Sequence, residues 1–231
     1  MKKIVSIVLL IILILSGCSQ NTSAFYKMDN GNISNFVKEE YELLANEGVL
    51  TYFGELEFQG SVEGEDKTSS HLGLAYQTGM FSIKDGNGNL LVRYLPDNEW
   101  YSIYRKVGLP EFDYSVENCD RLEIVFKTDD VENHSNCKKG MFNTEEIAYF
   151  LADVRSQKSP KEAGLYDLVT KPNGILENCY LYAVVYGFFE EEPGVAVPME
   201  VTSYNDKAYS ISIEGKEYVL PETWIQKLQG N

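Results

Sequence analysis

Apolar residues follow two regimes along this chain. From Ile4 to Leu15 they run almost unbroken, with Ser6 the single polar residue; beyond that they recur at short intervals among polar ones. Two later stretches carry the three-to-four-residue spacing of a helix face. Over 33–46, Ile33, Val37, Tyr41 and Leu44 share one face with Phe36 and Leu43 beside it. Lys38, Glu39 and Glu42 fall opposite, and Gly48 follows as a stop. Over 143–157, Ile147, Phe150, Leu151 and Val154 form the apolar face. There Asn143 and Glu146 are spaced as a capping box, and Pro160 lies just past the end.

The rest reads as strand and turn. Leu50, Tyr52, Leu56 and Phe58 alternate with polar neighbours, and 72–83, 89–95 and 122–126 are further strand candidates. The stretch 176–189 is apolar at consecutive positions, the mark of a strand buried on both faces. Segments 198–204 and 208–213 alternate and are joined by Asn205-Asp206-Lys207, a hairpin; Glu214-Gly215-Lys216 turns the chain into 218–220. Short helical segments are expected at 161–169 and 221–228. The predicted fold class is α+β: a mainly antiparallel β-sheet with two principal amphipathic helices, 33–46 and 143–157, packed against it. One globular domain over 32–231 accommodates this, with a division near Val116 as the alternative; no linker composition marks that point.

The apolar run at the start is too short to span a bilayer comfortably, which takes roughly 20 residues. Preceded by Lys2 and Lys3 and followed by Ser16 and Gly17, it has the layout of a secretory signal. The ending Leu15-Ser16-Gly17-Cys18 resembles the lipobox of bacterial lipoproteins. That resemblance implies a diacylglycerol on the Cys18 thiol and removal of 1–17. It implies a protein held at the cell membrane or outer membrane, facing away from the cytoplasm. Stable anchoring takes two or more acyl chains, each buried methylene contributing about 0.8 kcal/mol. The polar stretch 18–31 then reads as the lipidated tether.

Charge narrows the partners. The formal net charge is -15 over 231 residues, and loss of Lys2 and Lys3 with the leader makes the remainder more negative still. Such a surface repels nucleic acid and gains nothing from anionic lipid, so a lipid on Cys18 is the sensible tie to a membrane. It suits cationic peptides, basic proteins or divalent cations, although a solvated acidic surface is the plainer account of the same charge.

Candidate chemistry is sparse. With Cys18 committed to lipid, Cys119, Cys137 and Cys179 remain. Cys119 with Cys137 is the favoured disulfide of an exported chain, because it closes a short turn-rich loop. Cys179, inside the apolar stretch, is expected to be buried. His134, Cys137, Asp129, Asp130 and Cys119 are close in sequence, but no ligand pair has zinc-site spacing; no metal and no cofactor are expected. His71 stands alone in a polar segment. Asp85-Gly86-Asn87-Gly88-Asn89 resembles the opening of a calcium loop. It lacks the later glycine and the closing acid, since Leu90 and Pro96 occupy those positions, and it reads as a hairpin turn. Trp100, Tyr101, Tyr104, Phe112 and Tyr114 can stack on sugars or grip peptides but read first as strand and core residues. Asp153, Arg155 and the run Glu190 to Glu192 read as surface charge. No serine-hydrolase elbow, zinc-protease motif, phosphate loop or dinucleotide fingerprint occurs. The leading expectation is a non-catalytic envelope domain that binds a peptide, a glycan or a protein. A carboxylate-dependent envelope hydrolase and a solute-binding component of an importer are the alternatives.

Overall fold

A computed structural model describes residues 26–35, 37–46, 48–63, 68–71, 74–77, 79–95, 100–126, 138–142, 144–171 and 173–229. In chain order the strands are β1 (Lys27–Asp29), β2 (Asn32–Ser34), β3 (Glu40–Asn46), β4 (Thr51–Tyr52), β5 (Leu56–Gly60), β6 (Thr68–His71), β7 (Leu74–Gln77), β8 (Gly79–Ile83), β9 (Leu90–Leu95) and β10 (Trp100–Lys106). They continue as β11 (Arg121–Phe126), β12 (Lys138–Phe142), β13 (Cys179–Phe188), β14 (Val195–Tyr204), β15 (Ala208–Ile213) and β16 (Lys216–Leu220). Helix α1 is Thr144–Arg155 and α2 is Glu222–Gln229.

The strands form two large sheets. One runs β1-β2-β3-β10-β9-β8-β5; the other runs β12-β11-β13-β14-β15-β16, with β4 added beside β14. β6 and β7 pair separately. Every pairing between these strands is antiparallel. The α+β class with a mainly antiparallel sheet therefore holds. The sheets meet through one core: Ala45, Ile83, Val92 and Ile103 of the first join Leu122, Ile124, Val185, Met199, Val201 and Ile211 of the second. β4 passes from the chain of the first sheet into the second, so the two are stitched together as well as packed.

The helix over 33–46 is replaced by a hairpin, β2 and β3. Ile33 and Tyr41, read as one helical stripe, face each other across that hairpin and are both buried. A separation of eight residues suits either arrangement, and the turn between them decides. Asn35 accepts the Glu39 N–H on its side-chain oxygen at 2.9 Å and donates its own N–H to the Glu39 carbonyl at 3.0 Å. Lys38 takes a φ of 63° there, which a helix interior excludes. Val37, which belonged to the supposed stripe, is 76 % exposed. Residues 26–31, read above as part of a polar stretch, carry regular structure. Tyr26 is buried and laced in by main-chain bonds to Ser61 and Glu63 (2.9 and 2.7 Å), and β1 follows it.

The other helix forms at 144–155 and buries the four predicted residues Ile147, Phe150, Leu151 and Val154. Its proposed cap, Asn143, lies outside the described residues. The second packed helix is the C-terminal one. Trp224 of α2 donates its indole N–H to the Asp153 carboxylate at 2.6 Å, and Lys227 pairs with Glu146 at 2.7 Å. The hairpin at 205–207 is as predicted, with Asn205 and Asp206 both at positive φ (57° and 56°), the geometry of a two-residue turn that matches strand twist. β13 is central between β11 and β14, as its unbroken apolar sequence requires. Gly187 within it has a packing reason: a Cβ there would lie 2.3 Å from the Cys119 sulfur.

Two buried phenols, Tyr26 and Tyr204, and the half-buried Tyr114 make the fold sensitive to alkali. Burial pushes Tyr26, Tyr114 and Tyr204 up to about 12, with nearby Tyr41 adding at Tyr26, Glu192 at Tyr114 and Tyr166 at Tyr204. Below the unfolded value of about 10 both states hold these protons. Between there and about 12 the unfolded chain releases them first, so stability must fall as pH rises through that window. Phenolate absorbance followed alongside circular dichroism will show these three ionising together with unfolding; their ionisation in a folded chain near the ordinary tyrosine value would contradict this.

Candidate functional site

Pro198 sits inside β14, where its missing N–H should break a ladder. Strand prolines belong where that nitrogen faces no partner. β14 satisfies this because one of its edges is interrupted. β13 pairs along it from Ala196 to Tyr204. On the opposite edge β4 pairs only with Val195 and Ala196, and β15 only from Val201 onward. Over 197–200 nothing pairs with that edge among the described residues.

Main-chain direction follows from the two-residue period. Phe53 N–H donates to the Gly194 carbonyl at 2.7 Å, so even-numbered residues of β14 turn their polar groups toward the β4 and β15 side. The Pro198 carbonyl and the Glu200 N–H therefore face the gap, while the pairing of Val201 with Ile211 directs the Glu200 carbonyl to the Ser212 N–H of β15. Pro198 contributes no donor to it.

The gap widens into a cavity of about 860 Å³. Val197, Pro198 and Glu200 form its strand side, with Val184 and Tyr186 of β13 beside them. Val49 and Thr51 come from the turn into β4 and from β4 itself, Tyr101 from β10 of the first sheet, Tyr114 from the loop after β10, and Ser212 and Glu214 from the end of β15 and the turn after it. Val49 is 64 % exposed and Glu200 is exposed. Tyr101 is held by its hydroxyl, which donates to the Leu50 carbonyl at 3.2 Å, and its ring stands edge-on to Tyr52 at 5.0 Å. Glu214 is engaged by Arg155, which also bridges to Glu117. Glu200 has no ion pair among the described residues. Two acids thus line the gap, one tied and one untied.

Behind the gap lies a buried ion pair. Arg105 of β10 donates to the Pro110 carbonyl at 2.7 Å and to Glu192 at 3.3 Å, and Asn87 donates to the other Glu192 oxygen at 3.0 Å. Both charged side chains are buried, so Glu192 is no part of a solvated acidic turn; reading the run by composition alone missed this. Its partner, an arginine in an aromatic-rich strand, offered a clue. Asn87, from the loop likened to a calcium site, is spent on this tie, and the loop closes the β8–β9 hairpin as predicted.

No family model, curated protein or solved structure matches the chain.

The remaining sequence candidates are dispersed. Cys18 with its lipobox, Cys137, His134, Asp129 and Asp130 lie outside the described residues. Cys119 is a buried free thiol, pushed up to about 12 by burial and by Asp120, Glu117 and Glu214; a nucleophilic role does not suit it. Cys179 opens β13 and is only half-buried, and is likewise free. Asp153 and Arg155 are structural, through Trp224 and through Glu117 and Glu214. Tyr104 is core, and Phe112, Tyr114 and Phe189 stack edge-on at 4.7 to 5.6 Å. Among the described residues no group of three metal-ligating side chains gathers, and no helix is long and apolar enough to cross a membrane.

Proposed function

We propose that this protein is a lipid-anchored extracytoplasmic binding protein, non-catalytic, whose ligand occupies the gap along β14. The observation that carries the binding half is the interrupted edge: unpaired main-chain groups, aromatic walls and an untied carboxylate converge on one cavity large enough for a small ligand or peptide segment. The anchoring half rests on Leu15-Ser16-Gly17-Cys18 alone.

A carboxylate-dependent hydrolase is the second reading, favoured by the presence of Glu200 and Glu214 in one cavity. The Arg155 pairing argues against it, because the Glu214 carboxylate is already engaged by a guanidinium at 3.3 Å. The antiparallel sheets offer no support for an importer's α/β receptor.

Two experiments test the proposal. Cys18→Ala is expected to abolish acyl labelling and release the protein from the membrane fraction; unchanged membrane retention would sink the anchor. Melting of the full chain in nonionic detergent is then followed with basic and acidic peptides, envelope oligosaccharides, calcium and zinc. A ligand of the folded state must raise the midpoint, and Val49→Trp, which crowds the mouth of the gap, must abolish that rise. A rise unaffected by Val49→Trp would place the ligand elsewhere.

A further inference from the structure

Resting on the reading of the gap as a binding site, we infer that its ligand is a small organic cation: an ammonium group, carried on an apolar body, that sits against the Glu200 carboxylate. The charge of the lining carries this. Among the described residues the cavity is lined by Glu200 and Glu214 and by no lysine, arginine or histidine. Glu214 is compensated by Arg155 at 3.3 Å. Glu200 is not. Directly across on β13 stands Val184, and its same-face neighbours along β14 are Pro198 and Thr202. On the β15 side it meets Ser212. Every one of these is uncharged, so a positive charge for Glu200 must come from the ligand.

The register places an aromatic ring beside that carboxylate. Glu200 pairs with Val184 and Pro198 with Tyr186, so Tyr186 lies diagonal to Glu200 on one face of the sheet, within reach of a long or aromatic side chain. Phe53 stands edge-on to the Tyr186 ring at 4.8 Å. Tyr101 and Tyr114 also line the cavity. Phenol rings attract cations, and an ammonium differs from a bare charge in having N–H donors. Those donors suit Glu200 and the Pro198 carbonyl, which has no strand partner on the gap side among the described residues. The rest of the lining, Val49, Val184 and Val197 among it, calls for an apolar body, and about 860 Å³ accommodates a small molecule. A calcium ion suits the site poorly. It takes roughly six to eight oxygens, and no group of three metal-ligating side chains gathers among the described residues.

The probes are phenethylamine, 2-phenylethanol and 3-phenylpropanoate, which share one apolar body and carry a cationic, a neutral and an anionic head. Each is titrated calorimetrically into the full chain in nonionic detergent, with empty micelles as the reference. The amine should bind about tenfold or more tighter than the alcohol, and the acid should not bind. Glu200→Gln, an exposed change that keeps the shape of the side chain, should bring the amine down to the level of the alcohol and leave the alcohol unchanged. Val49→Trp should remove both. Equal affinity for amine and alcohol would overturn the cation inference and leave the gap as an apolar site. A preference for the amine that survives Glu200→Gln would also overturn it, as would displacement of the amine by an equal concentration of calcium. Failure of the amine, with another class of probe raising the melting midpoint in a manner sensitive to Val49→Trp, would overturn this inference and keep the gap as a binding site. No Val49→Trp-sensitive response to any probe would overturn both.

Discussion

Arg105→Ala is expected to destabilise the protein by about 3–5 kcal/mol, the usual cost of leaving one member of a buried ion pair without the other. The Arg105 and Glu192 side chains are 10 % and 4 % exposed. Removing the guanidinium leaves the Glu192 carboxylate with Asn87 alone and strips the Pro110 carbonyl of its donor. Against a total of about 5–15 kcal/mol for a typical domain this is a large fraction. The pair joins β10 of the first sheet to the turn between β13 and β14 of the second, so its loss should loosen the junction behind the gap. Arg105→Met with Glu192→Met should recover most of the loss, since a well-packed apolar pair avoids the desolvation of two charges. Urea midpoints of the two variants check this. A cost below about 1 kcal/mol for Arg105→Ala, the range of exposed pairs, would mean that the pair is not a buried tie.

Trp224→Ala should cost a similar amount, about 3–5 kcal/mol, as for other large aromatics removed from a core. Trp224 is buried where α2 docks on α1, edge-on to Phe150 at 5.0 Å and near Phe142 at 5.7 Å. Its indole N–H also donates to Asp153 at 2.6 Å. Trp224→Phe keeps most of the packing and loses only that bond to a charged acceptor, about 1.5–3 kcal/mol. Thermal or urea unfolding distinguishes the two terms. Equal losses for the two substitutions would assign the effect to the hydrogen bond rather than to the ring. Such large effects from a helix at the end of the chain would make α2 part of the folding unit.

Local rules carried far in the second half of the chain. The α1 face was legible because its four apolar residues have no competing arrangement, and the 205–207 turn because Asn and Asp tolerate positive φ. The first half misled at 33–46 for a definable reason. Ile33 and Tyr41 satisfy helical spacing and cross-hairpin pairing equally, and the deciding bonds of Asn35 to Glu39 depend on a turn that periodicity does not see. Burial of Tyr26 was hidden because its partners, Ser61 and Glu63, are distant in sequence.

The gap was legible only in part. Pro198 was visible as the first residue of a strand, the usual place for a strand proline. The fold instead extends β14 back to Val195 and leaves Pro198 in its middle, paired with Tyr186 of β13 on one edge and with no residue on the other among the described residues. That the edge is open there depends on where β4 and β15 stop, which no local pattern encodes. The Arg105–Glu192 pair was obscured likewise: Glu192 belongs to a run of three acids, and its burial comes from a strand far earlier in the chain.

The open edge is tested most directly by amide hydrogen exchange in the free protein. Met199 and Val201 direct their N–H groups into the ladder with β13 and should be protected. Glu200, between them, directs its N–H into the gap and should exchange far faster than either. A Glu200 amide as protected as its neighbours in the absence of ligand would mean that the edge is already satisfied, and the gap would then be a closed feature of the fold rather than a binding site.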